Sequence, residues 1–299
     1  MTRREDSQVK CSRFCVGDVS VQLVGGSDVG ANMGAVLDPF RTEAGPSDIE
    51  IQVEWVPSLD LSSKQFAFDS GTTWRVCERA ETLEFDFHAA VFGKRPLKRL
   101  LIDKRFSQAS LRMNAECFDG TEFVADPLAY PLDELLIMHR LTQERGIELH
   151  SSGIVGPNGA SNLFVGHSGA GKSTTTRLWT AHEGVEVLSD DRIIVREQAG
   201  QMVMYGTPWH GEAAFASPGS APLKRIFILE QGLGNTLYRL SPMQAVSELF
   251  ARSFVPFYEP KYVDAALDFL QSLTDAVPCY RYVFEPNQAA VEKILEFSD

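Results

Sequence analysis

Gly166-His167-Ser168-Gly169-Ala170-Gly171-Lys172-Ser173 is the stretch that decides the fold. It fits G-x-x-x-x-G-K-[ST] at every fixed position. Apolar Leu163-Phe164-Val165 precedes it, and helix-compatible Thr174 to Trp179 follows. A short apolar strand, a glycine loop and a helix in that order form the phosphate-binding unit of an α/β domain. Glycines let successive backbone N–H groups curl around a phosphate without Cβ clashes. The helix N-terminus adds a favourable dipole. Lys172 has the reach for the β- and γ-phosphates, and the Ser173 hydroxyl is the expected Mg²⁺ ligand. The spacing therefore predicts nucleotide contacts at Gly166, Ser168, Gly169, Ala170, Gly171, Lys172, Ser173 and Thr174.

A phosphate loop does not say what becomes of the phosphate, so its neighbours matter. Downstream, strand-like Val185–Leu188 runs into Ser189-Asp190-Asp191. Two adjacent carboxylates at a strand end suit metal-dependent phosphoryl transfer. One can hold Mg²⁺ and the other can accept the proton of an attacking hydroxyl. The competing reading is a turn that Asp190 caps. Upstream, His150 stands just before the phosphate-loop strand, where spacing alone favours a structural histidine. His210 lies in Gly206-Thr207-Pro208-Trp209-His210-Gly211-Glu212, which is dense in Gly and Pro yet also holds Trp, His and Glu. Such a loop either lines a site, with His210 and Glu212 in it, or is a structural turn. Lys224 and Arg225 precede apolar Ile226–Leu229. They are either solvated or placed to stabilise a transferring phosphoryl group, and Arg252 has similar status.

The rest of the chain gives organisation. Ser20–Val24, Ile49–Val53, Thr82–Phe87 and Leu100–Ile102 read as strands between Gly-, Pro- and Asp-rich turns. They predict a β-rich N-terminal domain over 1–146, a candidate for substrate or partner docking. Leu83, Phe85 and Phe87 should share one face. Six cations, Lys94, Arg95, Lys98, Arg99, Lys104 and Arg105, fall close together; they form either a solvated hairpin or a docking patch for an acidic partner. A helix is expected from Asp133 to Arg145, with Pro131 before it and Gly146 as its left-handed stop. Beyond it, 147–299 alternates strand and helix. Strands are expected at Ile147–Val155 and Cys279–Phe284, and helices at Lys172–His182, Met243–Arg252, Val263–Leu273 and Gln288–Phe297. The fold class is α/β (α+β).

The chain has 299 residues and a formal net charge of −12, from 28 Lys+Arg against 40 Asp+Glu. The deficit is even, with 17 basic and 23 acidic residues in 1–146 and 11 and 17 in 147–299, −6 each. An acidic background argues against nucleic-acid or anionic-membrane binding. No run approaches the ~18 apolar residues of a membrane span. Arg3-Arg4 is followed by charges rather than the apolar core of an export signal, so the expected location is the cytoplasm. Cys11, Cys15, Cys77, Cys117 and Cys279 read as reduced cysteines; Cys11 and Cys15 would share a face if that segment were helical.

His150, the phosphate loop and Asp190-Asp191, taken in order, resemble the catalytic half of the HPr kinase/phosphorylase family, related to phosphoenolpyruvate carboxykinase-like phosphotransferases. The resemblance covers roughly Ile147–Leu229. It implies a phosphate-loop catalytic domain with a mixed sheet, His150 as the catalytic histidine, Asp190 as base and Asp191 as metal ligand. Thr174 stands where the bifunctional enzyme has an acidic residue, and Gly206–Glu212 replaces its arginine-bearing loop. With Tyr130-Pro131-Leu132-Asp133, this points to an HPr-kinase-related protein rather than the bifunctional enzyme.

The expected function is an ATP- and Mg²⁺-dependent kinase transferring the γ-phosphoryl group to a hydroxyl of a peptide or small molecule. Lys172, Asp190, His150 and His210 would be catalytic, and homo-oligomeric assembly is left open. The alternatives are a nucleotide-binding sensor or interaction module without transfer activity, and a phosphate-loop ATPase.

Overall fold

The computed structural model describes residues 10–26, 34–43, 45–60, 65–93, 95–122 and 124–298. The expectations for Arg3-Arg4 and Lys94 lie outside them. The chain divides into two compact units, Met1–Arg140 and Leu141–Asp299.

The first unit is built on one sheet. Its strands are β1 (Lys10–Val16), β2 (Val19–Gly25), β3 (Ile49–Val56), β4 (Phe68–Asp69), β5 (Trp74–Glu78), β6 (Thr82–Phe87), β7 (Lys98–Asp103) and β8 (Gln108–Asn114). They lie in the order β1-β2-β3-β8-β7-β6-β5-β4. The pairs β2/β3 and β3/β8 are parallel and the others antiparallel. In β6 the expected apolar face is present, with Leu83, Phe85 and Phe87 all buried. Glu84 and Asp86 on the other face are buried as well, because Arg79 and Arg99 pair with them. This accounts for much of the cationic cluster. Arg95 pairs with Glu116, Lys104 with Glu78, and the buried Lys98 Nζ donates to Pro127 O and Ala129 O, both at 2.9 Å. The described cations other than exposed Arg105 are thus engaged within the unit. Cys11 and Cys15 sit on a strand, not a helix. Four residues of strand separate them by about 13 Å, and none of the five cysteines is in a disulfide.

Helix α1 (Leu132–Gln143) crosses the division between the units. Asp133 and Glu134 occupy its first turn, where the dipole favours them. The expected stop is corrected: Arg145, not Gly146, takes the left-handed conformation (φ +54°), and Gly146 opens the next strand.

The second unit has β9 (Gly146–Val155), β10 (Ser161–Val165), α2 (Lys172–Trp179), β11 (Glu186–Ser189), β12 (Arg192–Gln198), β13 (Gln201–Tyr205), β14 (Ser220–Pro222), β15 (Arg225–Gln231), β16 (Thr236–Arg239), α3 (Pro242–Phe250), β17 (Ser253–Phe254), α4 (Pro260–Ala276), β18 (Cys279–Phe284) and α5 (Gln288–Leu295). The strand order is β14-β13-β12-β9-β10-β15-β18-β16. The sheet is mixed: β10, β15 and β18 are parallel, while β9 and β16 run against their neighbours. Central parallel strands are covered on both sides, so they are apolar throughout. Leu163, Val165, Ile226 and Ile228 face a core that includes α3 and α4 residues; Phe164 and Phe227 face one built with Trp179 of α2 and Val291 of α5. The rings of Phe164, Phe227 and Tyr280 stack in series, 5.4 and 5.7 Å apart. Each fully buried ring contributes about 1.5–3 kcal/mol. Ser241 starts α3 with a reciprocal capping box to Gln244.

Strand β9 positions the site. Its first half, Gly146–His150, pairs with β12, and its second half, Ser151–Val155, pairs with β10. At the change of partner the His150 N–H donates to Arg252 O at 2.8 Å, and the Ser151 N–H donates to Asp191 O at 2.9 Å. The Gly166 N–H donates to His150 O at 3.3 Å. One backbone step therefore ties His150, Asp191, Arg252 and the mouth of the phosphate loop together.

Candidate functional site

The loop leaves β10 and enters α2 through Gly171, whose φ is +104°. A Cβ there would stand 2.9 Å from the Phe284 ring, so conformation and space both require glycine. Lys172 is buried, and its Nζ donates to Gly166 O at 2.9 Å and His167 O at 3.3 Å. Burial pushes this ammonium below the ordinary lysine range; Asp191 and Asp190 oppose the shift and Arg252 adds to it.

A cleft of about 380 Å³ opens against the loop. Ser168, Gly169, Gly171, Lys172, Ser173 and Thr174 line it, as do His150, Asp191, Gly211 and Glu212. The structure thus brings residues far apart in sequence to one place. His150 Nε2 lies 3.1 Å from Asp191 Oδ1. Burial pushes the Asp191 carboxyl up, but the hydrogen bond and charge of His150, with the fields of Lys172 and His210, hold it below the usual carboxylate range.

The two aspartates differ sharply. Asp190 is 1 % exposed. Its carboxylate accepts the N–H groups of Gly211 at 3.0 Å, Ala213 at 2.9 Å and Phe215 at 3.2 Å. It lines no part of the cleft and is committed to a loop. The base role expected of Asp190 is therefore corrected: a carboxylate holding three backbone donors in the interior is not placed to take a proton from a molecule in the cleft. Asp191 is the aspartate that faces it.

The stretch Gly206–Glu212 is divided. Thr207 and Trp209 are buried, and the Thr207 hydroxyl donates to Arg192 O at 2.7 Å. His210 is exposed, its Nδ1 3.1 Å from Gly211 O, and its charge acts on Asp191 although it does not line the cleft. Glu212 is exposed and lines it.

Lys224 and Arg225 are a second correction. Strands β10 and β15 are parallel, with Asn162 opposite Arg225 and Val165 opposite Ile228. The two cations thus flank the start of β10, whereas the loop leaves its end, roughly 10 Å or more away along the strand. Lys224 is exposed and the Arg225 guanidinium lies 5.2 Å from the Phe297 ring centroid.

Two lining residues escape the sequence reading. Arg177 is four residues beyond Ser173 on α2, a spacing that puts both on one helix face. Gln231 ends β15, and its Nε2 donates to Gly169 O at 3.2 Å. Ligands of parallel sheets gather at strand carboxyl ends, but that signal is readable only once β10 and β15 are known to be paired. Among the described residues no group of three or more His, Cys, Asp or Glu could hold a metal ion. No helix is long and apolar enough to cross a membrane among the described residues. In comparisons with known proteins, no family model and no curated protein matches the chain.

Proposed function

We propose that the protein is an ATP- and Mg²⁺-dependent phosphotransferase of the HPr-kinase-related kind, passing the γ-phosphoryl group to an alcohol. The observation that carries the reading is the single cleft in which Lys172, Ser173 and the backbone of the glycine loop meet the His150–Asp191 pair. The loop amides and the α2 N-terminus would cradle the phosphates, with Lys172 and Arg177 neutralising charge on them. The His150–Asp191 pair would take the proton of the acceptor hydroxyl, the contact fixing the imidazole orientation.

Mg²⁺ on a nucleotide usually needs only one or two protein oxygens, the rest coming from phosphates and water. The Ser173 hydroxyl and Asp191 carboxylate, both lining the cleft, fit that donor set. When bound, the ion would offset the phosphate charge.

The test is transfer of label from [γ-³²P]ATP to hydroxylated amino acids, sugars and serine peptides. Labelled acceptor is expected with the wild type and none with Lys172→Ala or Asp191→Ala. Acceptor-independent hydrolysis alone would replace this reading with a phosphate-loop ATPase.

A further inference from the structure

The segment His210 to Phe215 joins the cleft without belonging to the phosphate loop. Asp190 gathers three of its N–H groups, from Gly211, Ala213 and Phe215. An ideal Cβ on Gly211 would stand 2.9 Å from Asp190 Oδ2, so the backbone is packed directly on the carboxylate. The result is a small turn fixed to the end of β11 with Gly211 and Glu212 presented to the cleft.

The Glu212 carboxylate needs an explanation there. A negative group beside bound phosphates is repulsive unless a cation intervenes. The acids and imidazole of the described cleft do not converge into a metal-holding group, so Glu212 is not a third ligand alongside Asp191 and His150. Glu212, exposed on the cleft wall, is placed to meet the other substrate. The protein is acidic overall, with a net charge of −12, a field that draws cations toward its clefts and repels anionic acceptors.

We infer that the 210–215 turn, held by Asp190 as a positioning residue, is an acceptor-recognition element in which Glu212 selects a hydroxyl compound carrying a cationic group. This rests on the phosphotransfer reading. Glu212 supplies the charge that pairs with the acceptor's ammonium or guanidinium, and Asp190 keeps it in range of the Asp191–His150 pair. Asp190 works through the turn and does not touch the acceptor.

Two measurements test it. The first is amide hydrogen exchange at Gly211, Ala213 and Phe215. Asp190→Asn offers one acceptor oxygen instead of two and sets an NH₂ group against a backbone donor. Exchange at these amides is expected to rise about tenfold or more, while Asp191→Asn leaves it unchanged. Equal protection in the wild type and Asp190→Asn would overturn the anchoring.

The second is binding of fluorescent pentapeptides, Ala-Lys-Ser-Lys-Ala against Ala-Glu-Ser-Glu-Ala, with Mg²⁺ and a non-hydrolysable ATP analogue present. The wild type should prefer the lysine peptide by about tenfold, and Glu212→Gln should erase most of that preference with nucleotide affinity intact. An undiminished preference in Glu212→Gln, or a wild type that does not discriminate, would overturn the assignment. Loss of Mg²⁺-dependent nucleotide affinity in Glu212→Gln would make Glu212 a metal ligand and overturn it too. Lysine-peptide preference without phosphoryl transfer would instead remove the kinase reading and leave the recognition element standing.

Discussion

Replacing each of the adjacent aspartates by alanine should give opposite phenotypes. Asp190→Ala removes a carboxylate that is 1 % exposed and accepts three backbone N–H groups. Hydrogen bonds to a charged group contribute about 1.5–3 kcal/mol each, a gross loss of roughly 5–9 kcal/mol. Against this stands the several kcal/mol that burying the charge costs, which the variant no longer bears. Gly211, Ala213 and Phe215 are only partly buried, so water can reach some of the released donors. The net expectation is a loss of about 2–4 kcal/mol, a large part of the roughly 5–15 kcal/mol that holds a domain together. Asp191→Ala removes a side chain 27 % exposed, with a hydrogen bond to a histidine 24 % exposed and a longer one, 3.4 Å, from Arg192 Nε. Its cost should stay within about 1 kcal/mol. Urea unfolding, followed through Trp179 and Trp209 of the second unit, measures both. With a slope of about 1–3 kcal/mol per molar, Asp190→Ala should move the midpoint down by roughly 1 M or more. Phosphoryl transfer should vanish in Asp191→Ala. A stability loss below about 1 kcal/mol in Asp190→Ala, or an equal loss in the two variants, would refute the division of roles.

Two further outcomes are expected. In His150→Gln the Asp191 carboxyl loses the positive charge that helps to lower its pKa, while the upward push of burial stays. A carbon-13 NMR titration should therefore show the Asp191 pKa rising. Because the native value is depressed, its contribution to stability is present above the unfolded value near 3.9 and is lost as pH falls through the folded one; His150→Gln should shrink that contribution, and an unchanged titration would contradict the pairing. The double variant Lys224→Ala, Arg225→Ala should leave nucleotide affinity within about twofold of the wild type by fluorescence titration, since both cations flank the far end of β10. A tenfold loss would mean that they reach the phosphates.

Local signals carried much of this protein. The glycine loop, the apolar strand before it and the helix after it were legible because each rests on short-range chemistry: φ freedom, a dipole and a lysine at fixed spacing. The β-rich first unit and the mixed α/β second unit followed from periodicity in the same way. The adjacent turn residues Ala199 and Gly200, both with positive φ, tie β12 to β13, a hairpin that the sequence reading did not pick out.

Tertiary structure alone decided which residues share the cleft and which carboxylate faces it. Asp190 and Asp191 are equivalent as letters. They form the two-residue bend between β11 and β12, where the backbone turns one carboxylate into the interior to hold the 211–215 amides and the next out to His150. Lys224 and Arg225 look well placed beside an apolar strand until parallel pairing with β10 assigns them to its opposite end. Arg177 and Gln231 join the site through a helix face and a strand register. The sequence by itself determined the strand, glycine loop and helix around Lys172, because their conformation is local. The rest of the cleft waited on strand order and register, which are set by long-range burial of apolar faces rather than by any short run of residues.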